Sequence, residues 1–155
     1  MTPISLKLKV PPPVVALVIA ALMWIASRAV QPITASTSVR ATLALMVAGT
    51  GLVLGVAAMR TFSRAGTTVN PMKPQATTVL VTHGVYRFSR NPMYVSLLLY
   101  LVGFALFLAN WASPVGLALF IIYMNRFQIA PEERVLEERF GEEFDAYRRR
   151  VRRWI

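Results

Sequence analysis

Four apolar runs, Pro13–Ala29, Ala41–Met59, Met93–Ala109 and Ala112–Met124, alternate with polar stretches along the chain. A bilayer core asks for about 20 apolar residues per helix, so three of the runs are near that length and the fourth is short. The pattern predicts an all-α integral membrane protein with four transmembrane helices. The third and fourth are joined through Asn110-Trp111 as a tight hairpin. Beyond them, Leu136, Phe140, Phe144, Tyr147 and Val151 recur at intervals of three and four, which places them on one helical face. Pro131-Glu132-Glu133 reads as a new helix start, with Pro in the first turn and two carboxylates near the positive end of the dipole. Gly141 then divides the run into two short amphipathic helices.

Small residues mark where these helices can meet. Ala16, Ala20 and Ala21 offer a thin face on the first helix. Gly51 and Gly55, with Ala44 and Ala48, form a small-xxx-small stripe on the second. Such a stripe serves packing within the chain or a homodimer through the Gly51/Gly55 face.

Charge sets the expected orientation. The 155 residues carry a net charge of +10, yet only 15% are charged and 55% are hydrophobic. All seven acidic residues lie between Glu132 and Asp145, so the first 130 residues are purely basic. In a chain this apolar the basic excess points to anionic lipid headgroups rather than nucleic acid. Arg60 to Arg90 holds Arg60, Arg64, Lys73, Arg87 and Arg90 with no acid, which marks that loop as cytoplasmic. Counting helices then puts both termini in the cytoplasm, with the protein in a bacterial-type inner or plasma membrane. Arg148 to Arg150, Arg152, Arg153 and Trp154 suit the same membrane surface. The first apolar run is read as an uncleaved helix. Cysteine is absent, which removes disulfide and thiolate chemistry. His83 is the only histidine, so no metal site is expected.

Two polar clusters carry the candidate chemistry. One runs from His83 to Tyr94 and ends in Asn91-Pro92, an N-cap followed by a first-turn proline at the head of the third helix. The other runs from Asn125 to Glu138, after the fourth helix. The hairpin brings them side by side. One supplies cations, an amide and phenols, and the other supplies carboxylates. In the plainest arrangement Arg87 and Arg90 neutralise Glu132 and Glu133, while Glu137, Glu138, Glu142 and Glu143 form a solvated face.

Gly84-Val85-Tyr86, Arg90-Asn91-Pro92-Met93-Tyr94, Glu132-Glu133, Phe140-Gly141, Phe144 and Tyr147 together resemble the isoprenylcysteine carboxyl methyltransferase and phospholipid methyltransferase superfamily. The resemblance covers residues 78–155, with Asn91 where many relatives have His. It implies a membrane enzyme that uses S-adenosylmethionine (SAM), releases S-adenosylhomocysteine, and methylates a lipophilic carboxylate, amine or thiol. On that reading 1–155 is one membrane domain, with 1–75 as variable N-terminal helices and 78–155 as the methyltransferase core. His83, Gly84, Tyr86, Arg90, Pro92, Tyr94, Glu132 and Glu133 are the expected cofactor-binding residues. Arg90, Asn91 and Tyr94 are the expected catalytic ones. Arg90 and the start of the third helix suit a carboxylate, Glu132 or Glu133 an amino group or ribose, and Tyr86 and Tyr94 an adenine or sulfonium. A non-enzymatic alternative is a membrane binding or assembly protein held on anionic lipids.

Overall fold

The computed structural model describes residues 10–31, 33–65 and 78–155, and among them there is helix and no strand. Helix α1 is Pro12–Ser27, α2 Thr37–Arg64, α3 Pro92–Leu108 and α4 Ser113–Tyr123. A π-helical turn, Met124–Ile129, leads into α5, Ala130–Phe140, and α6 is Glu142–Arg150. Among the described residues only α2, with 28 residues and ~42 Å of length, is a helix long and apolar enough to cross a membrane on its own. α1 and α3 are shorter apolar helices.

α3 sits at the centre, with α2 on one side and α1 and α4 on the other. Close approach explains the α2 seam. A Cβ on Gly51 would lie 3.1 Å from the Ser96 carbonyl, and one on Gly55 3.0 Å from Ser96 Oγ. The Gly51/Gly55 face is thus packed against α3 within the chain. The seam ends at Gly103, where an added Cβ would stand 2.9 Å from the Ala44 carbonyl. Backbone cannot swing aside as a side chain can. Gly103→Val is therefore expected to lower stability by roughly 1–3 kcal/mol, read as a fall in melting temperature in detergent.

On the other side, Val15, Ala16, Ile19 and Met23 of α1 pack with Leu101, Phe120, Met124 and Ile129. Ala16 and Ala20 lie on this inward face as expected, but Ala21 is exposed. The outward face of α2 shows Leu45, Met46, Leu52, Val53 and Met59 to the surroundings.

The hairpin between α3 and α4 is as tight as expected. Ala109 turns the chain in the left-handed region at φ 45°, and buried Asn110 locks the turn. Asn110 Oδ1 accepts from the Ala112 N–H at 2.8 Å, while its Nδ2 donates to the Val30 carbonyl at 2.9 Å.

The helix start expected at Pro131 is not a fresh start. Helix runs unbroken from Ser113 to Phe140, and the π-helical turn just before Pro131 absorbs the missing N–H and the ring's clash with the preceding turn. The short fourth helix therefore continues into α5 instead of stopping. Gly141, at φ 49°, does separate α5 from α6. Phe144, Tyr147 and Val151 are buried together against Leu80, Leu136 and Phe140, so the predicted face is the one that packs.

Candidate functional site

Both polar clusters meet at the end of the helices where α3 begins and α5 starts. A 3-10 turn, Gly84–Arg87, delivers the first cluster. Gly84 has φ +62°, and a Cβ there would stand 3.0 Å from Thr61 Oγ1, so only glycine suits the position. Tyr86 is buried edge-on against Phe62 at 5.0 Å, which seats the turn on the end of α2. Tyr147 Oη donates to the Tyr86 carbonyl at 2.7 Å and ties α6 to the same turn.

Asn91 occupies the N-cap position of α3, but no side-chain capping bond forms. Its Nδ2 donates instead to the Arg153 carbonyl at 2.8 Å, and its backbone N–H donates to Ser89 Oγ at 3.1 Å. Pro92 is buried in the first turn, where its fixed φ suits the helix.

Arg90 organises the cluster. Its Nη2 meets Glu133 Oε1 at 2.7 Å, with the two side chains only 11% and 13% exposed. Its Nη1 donates to the carbonyls of Val151 at 2.7 Å and Arg148 at 3.1 Å, and its backbone N–H to that of Arg152 at 3.0 Å. Arg153 pairs with Glu133 from the other side. Trp154 Nε1 donates to Asn125 Oδ1 at 3.1 Å. The segment from Arg148 to Trp154 is thus a strap laid across the start of α3. Arg90 Nε stays buried with no partner.

The two neighbouring carboxylates live in different environments. Burial raises Glu133, but hydrogen bonds and charge from Arg153 and Arg90 outweigh it and hold the carboxyl below its ordinary range. Glu132 has no cation beside it among the described residues. Burial pushes it up to about 8, the bond from Tyr94 Oη at 2.5 Å offsets part of that, and the Glu133 charge adds to it. Burial likewise raises the phenols of Tyr86 and Tyr147 and keeps them neutral.

The structure therefore brings together Arg90, Asn91, Tyr94, Glu132 and Glu133, with Tyr86 and Pro92 buried in the elements that carry them. It leaves His83 exposed, with no side-chain hydrogen bond among the described residues. Arg87 lies over the Phe88 ring at 5.0 Å and pairs with no acid among the described residues, so of these two arginines Arg90 plays the neutralising part. Glu137 pairs with Arg148 at 3.6 Å on an exposed surface, and Glu138, Glu142 and Glu143 are exposed, as a solvated face requires. Sequence reasoning missed Ser89, Arg153 and Trp154 as members. Their basic and aromatic character reads as a membrane-surface tail, and only the strap's return to α3 gives them another role. Gln128 was also missed. It is fully buried in the π-helical turn, where Nε2 donates to the Val10 carbonyl at 2.6 Å.

Residues 39–143 match the phospholipid methyltransferase family. An uncharacterized protein of Haemophilus influenzae is 48% identical over 63 residues, covering 41% of this chain and 100% of that protein. A probable protein-S-isoprenylcysteine O-methyltransferase of Oryza sativa is 38% identical over 72 residues, 46% of this chain and 38% of its own. The protein-S-isoprenylcysteine O-methyltransferase of Saccharomyces cerevisiae is 33% identical over 97 residues, 61% of this chain and 39% of its own. The chain thus spans well under half the length of these named relatives. No solved structure matches it. The family match takes in α2, α3, the hairpin and the Glu132-Glu133 pair, and this chain belongs to the phospholipid methyltransferase family.

Proposed function

We propose that this protein is a multi-pass membrane methyltransferase that takes its methyl group from SAM and delivers it to a lipophilic carboxylate, amine or thiol. The observation that carries this reading is Glu132, a half-buried carboxylate at the junction of both clusters with no cation beside it among the described residues. A site that binds a cation leaves such a vacancy in its charge balance. The residues suit SAM on both counts of charge. Glu132 would take a cationic group, and the unpartnered Arg90 Nε is a buried donor for a carboxylate.

SAM supplies an electrophilic methyl on a sulfonium. The work left to the chain is to bind, orient and exclude water. Tyr94 holds the Glu132 oxygen in place, and Arg90, Asn91 and Ser89 hold the strap that covers the cluster. Arg90 is on this account a positioning residue more than a catalytic one, because its Nη atoms are spent on Glu133 and the strap. Positioning of this kind is worth up to ~7–11 kcal/mol of barrier.

Four crossings with both termini in the cytoplasm support access by a cytosolic cofactor. The two ends of α1 are both tied to the α3–α4 hairpin and its continuation: Gln128 donates to the Val10 carbonyl at one end, and Asn110 to the Val30 carbonyl at the other. α1, α3 and α4 are short for a crossing, and the continuation of α4 through the π-helical turn gives the fourth its missing length. Purified protein in lipid should transfer radiolabelled methyl from SAM to at least one member of a panel of isoprenyl thioether carboxylates, phospholipid amines and lipophilic thiols. Folded protein that binds anionic vesicles and transfers nothing across that panel would return the chain to an assembly role.

A further inference from the structure

Beside the Arg90, Glu132 and Glu133 network, the π-helical turn opens a cleft of about 390 Å³ lined by Asn125, Arg126, Phe127, Ala130 and Arg134. Two features set it apart. Arg126 and Arg134 both line it, both are exposed, and neither is in an ion pair among the described residues. The cleft also sits at the head of an apolar track. Val115, Leu119 and Ile122 of α4 recur at intervals of four and three, are 61%, 48% and 61% exposed, and lead along one helical face toward Arg126. Guanidiniums present a planar fork that matches phosphate oxygens, and they are less strongly hydrated than an ammonium.

We infer that this cleft binds a phosphate ester, and that its source is the headgroup of a membrane lipid whose acyl chain lies along Val115, Leu119 and Ile122. The polar and apolar parts of the surface meet in the order that such a molecule requires. The buried side of the same turn, at Gln128 and Ile129, faces the helix core instead, so the lipid lies outside the helix bundle. Asn125 connects the cleft to the strap through Trp154, which places the bound headgroup one hydrogen bond from the segment that closes the cluster. The inference stands on the cleft and track alone and does not depend on methyl transfer.

Native mass spectrometry of the full chain in detergent tests it, with phosphatidylglycerol, diacylglycerol of the same chains, and glycerol phosphate as probes. Phosphatidylglycerol is expected to remain bound, at least about tenfold more tightly than either of the other two. The double variant Arg126→Gln, Arg134→Gln is expected to lose that advantage, while Arg87→Gln keeps it. Equal retention of diacylglycerol would overturn the phosphate contact. Equal retention of glycerol phosphate would overturn the lipid source in favour of a soluble ester. Unchanged binding by a folded double variant, with the same melting temperature as the wild type, would overturn the cleft itself.

Discussion

Glu132→Gln is expected to weaken SAM binding by ten-fold or more, whereas Glu142→Gln leaves it unchanged. Glutamine keeps an oxygen for Tyr94 Oη and keeps the shape of the side chain, so the loss isolates the charge. A hydrogen bond to a charged group is worth roughly 1.5–3 kcal/mol, which sets the size of the effect. Glu133→Gln acts differently. Its carboxylate already serves Arg90 and Arg153, so the substitution frees two cations and loosens the strap, and its first signature is a lower melting temperature.

The same residue gives the protein without ligand a pH dependence of definite sign. Glu132 holds its proton up to about 8 when folded, against an ordinary value of 4.5. Its contribution to stability is therefore full below 4.5 and is lost as pH rises toward 8. Glu133, held low, contributes in the opposite sense, with stability present above 4.5 and lost as pH falls. Melting curves of wild type and Glu132→Gln between pH 5 and about 9 should diverge on this basis, with the wild type losing stability toward alkaline pH and the variant losing less.

Arg90→Ala is expected to cost about 1.5–3 kcal/mol, because it leaves a mostly buried Glu133 to Arg153 alone and removes three side-chain bonds at once. Arg90→Lys retains the charge but has one nitrogen where Arg90 uses a fork to reach Glu133 and two carbonyls. It should fold, lose methyl transfer strongly, and expose the tail from Arg148 onward to carboxypeptidase. Arg87→Lys keeps its place over Phe88 and should be close to wild type in both assays. A fully active Arg90→Lys with a protected tail would mean that charge alone matters at this position.

Much of this was legible in the residues, and the parts that were not share a cause. Asn91-Pro92 marks the start of α3 because a proline there leaves few alternatives, and the face from Leu136 to Val151 follows from its period. The Gly51 and Gly55 stripe announces a close helix contact, but a stripe cannot say whether the partner is α3 or another molecule. Pro131 reads as a boundary by local rules, and only packing on both sides keeps the helix going through a π-helical turn. Glu132 and Glu133 are equivalent in sequence. Their separation into a high and a low carboxyl depends on Arg153, which is 20 residues away and returns only because the strap folds back. The motifs quoted from the sequence begin near residue 78, whereas the family match also includes α2, whose signal is small-residue packing and hydrophobicity.

The central claim is that a cationic cofactor fills the charge vacancy at Glu132, and calorimetric titration of SAM into the detergent-solubilised protein measures it most directly. Run at pH 7 in two buffers of different ionisation enthalpy, the titration should show saturable binding and release of close to one proton per ligand, since the arriving positive charge returns Glu132 to its ionised form. A folded protein that shows no binding at millimolar SAM, or binding with no proton released and none lost in Glu132→Gln, would contradict the account.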